Sequence, residues 1–364
     1  MAIEFSPERW ASVRQTYRSW WAGELQRPIV PVVLHGKDPG RPAPSAPLLS
    51  QATCHDLTIP AEDLIDRIDY ELSGRVFLGD AFPYFSFDCF GPGILAAMMG
   101  ARLDNSTGRV WFHPTVDAAI EQLHFRFDPE NAWFRRIRDI YRAGNRRWQG
   151  QVLMGMADLG GNLDNCSTFR PSEKLLLDLY DYPQEVKRLS WEAHTAWHQC
   201  YGLLNEELQS AGGGYTDWAG IYSDRPSYML QCDFSYMIGP AMFDEFARPE
   251  LIATLRRLGR GFYHLDGPGQ LPHLDSLLAI PELDGIQWVP DVKAPDCGHY
   301  PDLFRRIQAA GKKIQLWSRA EFKSLQAVVQ QLGSGRGVHQ STIRRSVEDE
   351  ADVRRQLEDL GVAG

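Results

Sequence analysis

His264 and Asp266 stand two residues apart in Phe262-Tyr-His-Leu-Asp-Gly267, and Gly267-Pro-Gly269 follows at once. On a β-strand that spacing turns both side chains to one face. An imidazole beside a carboxylate can hold a metal such as zinc, or act as a base with its orienting partner. The same pair also fits a plainer role, with Asp266 capping the next helix and His264 hydrogen-bonded inside the fold. Cys232 and Asp233 lie in Gln231-Cys-Asp-Phe-Ser235, ahead of a helix predicted from Pro240. Asp233 is a candidate acid or base and Cys232 a candidate thiolate ligand, although a free cysteine is more often a small buried hydrophobe. Cys297 with His299 reads as a surface turn. His194 and His198 are four apart on a predicted helix but lack the glutamate of a zinc-protease motif, so packing or a solvated face explains them better.

The elements that must position these groups can be read from periodicity. A helical segment is predicted over Ser6–Leu25, so residues 1–27 form an N-terminal extension to a single domain spanning 1–364. Arg27–Leu34 is short, β-branched and bounded by Pro and Gly, as expected of a buried strand. The Pro- and Gly-rich stretch Gly36–Pro47 reads as a long loop or lid. Asp128-Pro129 predicts a helix start, and further strands are predicted near 76–81, 149–156 and 215–221. After a helix over Pro240–Leu258, the chain alternates regularly. Strands at Phe262–Leu265, Gly285–Val289, Lys313–Trp317 and Gly337–Thr342 are separated by helices at Leu271–Ala279, Pro301–Ala310 and Glu321–Leu332, and Glu348–Leu360 closes the series. About eight strands alternating with helices imply a parallel sheet closed into a (β/α)8 TIM barrel, with a doubly wound open sheet as the alternative. No Gly-x-Gly-x-x-Gly opens a helix, so a dinucleotide site has no support.

In such a barrel the site lies at the C-terminal ends of the strands. That rule selects His35, Asp80, Asp158, Asp217, Trp218, His264, Asp266, Gln287, Trp288, Trp317, His339 and Gln340. Trp218, Tyr222 and Trp288 are candidate pocket walls, in keeping with the aromatic content near the predicted strand ends. The formal net charge of −9 argues against a nucleic-acid partner. No apolar run approaches the ~20 residues of a membrane span. The N-terminus does not read as a signal peptide, and six scattered cysteines without a CxxC pair suit a reducing cytoplasm.

Phe262-Tyr-His-Leu-Asp-Gly-Pro-Gly269, Leu274-Asp-Ser-Leu-Leu278 and Asp284-Gly-Ile-Gln-Trp-Val-Pro290 resemble the uroporphyrinogen decarboxylase superfamily, most nearly its cobalamin-dependent methyltransferase-like branch. Asp233-Phe-Ser-Tyr-Met-Ile-Gly-Pro-Ala-Met-Phe-Asp-Glu-Phe246 is similar to the family's segment before the same histidine. Phe85-Ser-Phe-Asp88 looks like the segment bearing its substrate-binding aspartate. The likeness runs from about Pro28 onward, with Cys232 to Pro290 its specific part. It implies the same barrel, and an expectation of a homodimer. The basic loop and late Gly-His-Gly motif of the porphyrinogen decarboxylases are missing, which argues against that activity. Thiol-methylating relatives bind zinc through His-x-Cys and a later Cys. Here Asp266 replaces the first Cys, and no Cys follows Cys297.

The resemblance thus implies a methyltransferase acting on a small methylated compound or a methyl-corrinoid carried by a separate corrinoid protein. Zinc is its candidate metal, with His264, Asp266 and either Cys232 or His339 as ligands, and Asp88 and Asp233 contact substrate. A second expectation is a decarboxylase of a smaller acid, with Lys37, Arg41 or Arg170 holding carboxylates. A third is a ligand- or corrinoid-binding barrel without chemistry.

Overall fold

The computed structural model describes residues 3–363. Its centre is a five-stranded parallel sheet in the order Val338–Gln340, Lys313–Leu316, Gly285–Val289, Arg260–Asp266, Ser227–Leu230. Parallel neighbours need crossovers, and the helices Pro301–Ala309 and Glu321–Leu332 supply two of them. A second sheet pairs Pro31–His35 in parallel with Ile343–Ser346 and antiparallel with Arg75–Gly79. A parallel bridge between Ile29 and His339 links the two sheets. Tyr84–Phe85 pairs in parallel with Leu153–Met154, and Met156 N donates to Thr216 O at 2.9 Å. The result is a mixed α/β fold with one contiguous apolar core running from Ile3 to Val362. Among the described residues no helix is long and apolar enough to cross a membrane.

The helix Pro7–Trp21 starts where Ser6 accepts from Arg9 N at 3.2 Å and Pro7 occupies the first turn. It buries Trp10, Val13, Tyr17, Trp20 and Trp21. Arg260 and Lys313 open two of the central strands. The Arg260 guanidinium lies 4.5 Å over Trp21, and the Lys313 ammonium 5.7 Å over Trp20. The helix therefore covers the N-terminal ends of these two strands.

Several expectations need correction. Residues 76–81 are not a parallel unit: Arg75–Gly79 runs antiparallel to Pro31–His35. Near 215–221 the described backbone has only a bridge from Tyr215 to Ser223. The strand that pairs there is Ser227–Leu230, which the sequence reading missed. Asn131, not Asp128, caps the helix Ala132–Trp148, accepting from Trp133 N at 2.9 Å. The single helix expected over Pro240–Leu258 widens into a π turn at Phe243–Ala247. Pro249 explains this, because its ring clashes with a regular α carbonyl four residues back and has no N–H to donate.

Candidate active site

His264, Gln287, Gln315 and His339 lie side by side across four neighbouring strands, in register. They share one face, while Ile286, Trp288, Ile314 and Leu316 take the other. Gln287, Gln315 and His339 are fully buried. A polar layer so placed is costly unless its groups are paired, and they are paired in series. His264 Nδ1 bonds Gln287 Oε1. Gln287 Nε2 donates to Gln315 Oε1 at 2.7 Å. Gln315 Nε2 donates to Ala219 O at 2.9 Å and reaches His339 Nδ1 at 3.3 Å. His339 Nε2 is 3.1 Å from the Tyr17 hydroxyl, on the N-terminal helix. With Gln287 Oε1 toward His264, the ring donates from Nδ1 and leaves Nε2 as a lone-pair donor. Burial lowers the His264 pKa, against a smaller opposing pull from Asp266, and so favours the neutral ring.

The open Nε2 stands 3.8 Å from Asp266 Oδ2. Asp233 joins them, and one ligand atom from each of Asp233, His264 and Asp266 lies within 4.8 Å of the others. Asp233 owes its place to Asp164. The Asp164 carboxylate accepts from Asp233 N at 3.0 Å and from Phe234 N at 2.8 Å, clamping the turn after Ser227–Leu230. Asp233 sits at the exposed rim. Crowding by the surrounding protein and then the nearby Asp266 charge raise its pKa. Gly267 follows Asp266 at φ 79°, and a Cβ there would come 2.9 Å from the Asp291 carboxylate. A side chain is thus barred twice, by backbone conformation and by space.

Trp218 sets its ring edge-on to His264, with centroids 5.1 Å apart. The loop bearing it is held by Asp217, which accepts from Ala219 N at 2.9 Å and Met229 N at 2.7 Å. Asp217, chosen from the sequence for its strand-end position, is a clamp here. Burial pushes its carboxyl up to about 6 despite those two bonds.

The structure brings His264, Asp266, Asp233, Gln287 and Trp218 together. It does not bring the other expected residues there. His339 is a buried member of the polar layer, with both ring nitrogens engaged and its pKa pushed down to about 3 by burial, and it stands outside the Asp233–His264–Asp266 group. Cys232 is buried, its thiol pushed well up by desolvation, and it stands outside the ligand group. Tyr222 packs among Tyr17 and Phe82 under the N-terminal helix. Trp288 is fully buried on the opposite face of the sheet, against Tyr300 at 4.9 Å between centroids. Arg170 makes a two-pronged ion pair with Asp178, at 2.6 and 2.9 Å. Lys37 pairs with Glu4 at 2.7 Å, and Arg41 with Asp66 and Asp69. Asp88 is exposed and lines a separate cavity. Sequence reasoning missed Gln315, Asp164 and Tyr17. For Gln315 a signal existed: Ile286-Gln287 and Ile314-Gln315 repeat the same apolar–amide pair in consecutive strands.

The donor set suits a divalent cation. It has one neutral imidazole nitrogen, two carboxylates and room for further ligands. The 3.8 Å gap from His264 Nε2 to Asp266 Oδ2 is too long for a hydrogen bond. It is close to the roughly 3.4 Å kept by two ligands at ~2.1 Å from one tetrahedral ion. No family model matches the chain, and no curated protein sequence matches it. Comparison with solved structures does find a likeness. The fold is similar to that of a methyltransferase from Methanosarcina mazei. The TM-score is 0.61 at 11% identity, covering 95% of this chain and 98% of that one. The likeness to the Methanosarcina mazei methyltransferase therefore extends over nearly the whole of both chains, and it concerns the fold.

Proposed function

We propose that the chain is a methyl-transfer enzyme built on a closed (β/α)8 barrel of the uroporphyrinogen decarboxylase type, with a divalent metal such as zinc at Asp233, His264 and Asp266. The observation that carries this reading is the grouping of those three side chains at the C-terminal end of a central parallel sheet, where barrel enzymes place their chemistry. The fold shared with a methyltransferase supports it. A metal there would supply Lewis acidity, lowering the pKa of a bound methyl acceptor or polarising a bound donor. The set is harder than a thiolate site, so a nitrogen or oxygen substrate suits it better than a thiol.

The chain's own residues have separable tasks. Gln287 fixes the His264 tautomer and ring orientation. Asp164 holds Asp233 at the rim. Trp218 walls one side of the imidazole and keeps water from it. The methyl group would come from, or go to, a corrinoid on a separate protein docking over the strand ends. A decarboxylase drawing on Lys37, Arg41 or Arg170 has less support, because each of these cations already has a carboxylate partner.

Metal analysis of anaerobically purified protein tests the proposal, followed by methyl-transfer assays with methylcobalamin as the corrinoid probe. About one equivalent of metal is expected, falling at least ~10-fold in occupancy or affinity in His264→Ala. A metal-free protein whose His264→Ala variant keeps full methyl transfer would sink it. Tight corrinoid binding without turnover would instead favour a barrel that has lost its chemistry.

A further inference from the structure

A second feature lies on the other sheet. Across Ile343–Ser346, Pro31–His35 and Arg75–Gly79, Arg344 pairs in register with Val33, Val33 with Phe77, and His35 with Arg75. The two-residue period puts all of these side chains on one face. That face walls a cavity of about 360 Å³, closed on its other side by Tyr84, Ser86 and Asp88, with the exposed Arg109 also lining it.

The charges in this cavity are unbalanced. Among the described residues no ion pair engages Arg75, Arg109 or Arg344. Two nearby acids are committed elsewhere, Glu71 to Arg67 and Glu321 to Arg345. Asp88 alone faces three guanidiniums across the cavity. Arg75 Nε and Ser86 Oγ are buried and find no hydrogen-bond partner among the described residues. Burial lowers the Arg75 pKa, and repulsion from Arg344 lowers it further. His35 is shifted down by its own burial and by the same two arginines, which favours the neutral form. Two like charges held together at partial burial are destabilising by themselves. An anion between them reverses the sign, since each guanidinium offers a planar fork of donors to a carboxylate or phosphate.

We propose that this cavity binds a small organic anion, its carboxylate or phosphate head held by Arg75 and Arg344 and its apolar body lying along Phe77 and Phe85. The volume is in the range of small-molecule sites, and both phenyl rings line it. Ser86 Oγ supplies a further donor to the head. Tyr84 separates this cavity from the Trp218 loop, its hydroxyl lying 2.5 Å from where a Cβ on Gly220 would stand. None of Asp233, His264 and Asp266 lines the cavity, so the anion site is built from other residues than that group.

Titration calorimetry with benzoate, phenyl phosphate and neutral benzamide tests this. At least one anion is expected to bind saturably and ~10-fold or more tighter than benzamide. Arg75→Gln and Arg344→Gln should each weaken that anion ~10-fold or more, as loss of a charge-assisted contact implies. Which anion binds tells a carboxylate head from a phosphate head. Should Arg75→Gln misfold, Arg344→Gln carries the test, because Arg344 is exposed on its strand. Anions binding no tighter than benzamide, or a folded Arg75→Gln/Arg344→Gln variant binding as tightly as the parent, would overturn the proposal. His264→Ala should bind the anion like the parent, so failure of the methyl-transfer reading leaves this result standing.

Discussion

With Nδ1 engaged by Gln287, the His264 ring can present only Nε2 to Asp266 and Asp233. Gln287 is held in turn by Gln315, so the orientation of one imidazole rests on a buried amide pair. Gln287→Leu should lower zinc affinity by ~10–100-fold, the usual effect of losing a ligand's hydrogen-bond partner. Gln287→Glu keeps an acceptor for Nδ1–H and should recover part of the loss. Competition with a chromophoric chelator measures both, and a Gln287→Leu protein that holds zinc as tightly as the parent would refute the positioning role. The His264–Asp266 pair was legible in the sequence because a two-residue spacing fixes a shared face on any strand. The contributions of Gln315 and Asp164 were not. They act through contacts 28 and 69 residues away along the chain, made to Gln287 and to the Asp233 backbone, and no local pattern encodes such partners.

Elements differ in how far local sequence specifies them. Gly285–Val289 and Glu321–Leu332 form over the residues that periodicity predicts, because each is an uninterrupted apolar pattern between clear breakers. The stretch near 215–221 has strand-like composition, yet Asp217 satisfies the backbone N–H of Met229 with its side chain, and Gly220 turns at φ 72°. The N-terminal helix is the element on which the lower end of the sheet depends. Trp20 is fully buried, stacked on Phe262 and set against His339. Trp20→Ala should cost ~3–5 kcal/mol, whereas Ser6→Ala, which loses only the cap, should cost ~1 kcal/mol. Urea midpoints at constant slope give both values. Equal small losses would mean that the helix is not part of the cooperative core.

Over the whole molecule, buried carboxylates make stability depend on pH in an unusual direction. Burial pushes Asp158 up to about 8 and Asp217 up to about 6. Between the ordinary carboxylate range near pH 4 and about pH 8, the folded chain keeps a proton on Asp158 that the unfolded chain has lost. The native state then binds more protons, and this contribution to stability declines as pH rises. Asp158→Asn removes the effect while retaining an acceptor for Gly160 N. Its melting temperature should match the parent's near pH 4 and exceed it by ~2 °C or more at pH 8.5. A difference independent of pH, measured by calorimetry, would contradict the assignment. By itself the sequence determined the alternation of strands and helices in the last third of the chain and the shared face of His264 and Asp266. Both follow from periodicities of a few residues. Only the tertiary structure decided that Asp233 comes together with His264 and Asp266 while Cys232 and His339 stand outside that group. It alone decided that Lys37, Arg41 and Arg170 are neutralised while Arg75 and Arg344 face a cavity without an ion-pair partner among the described residues. Which charges meet, and which are left over, depends on how distant segments pack, and that information is spread over the whole chain.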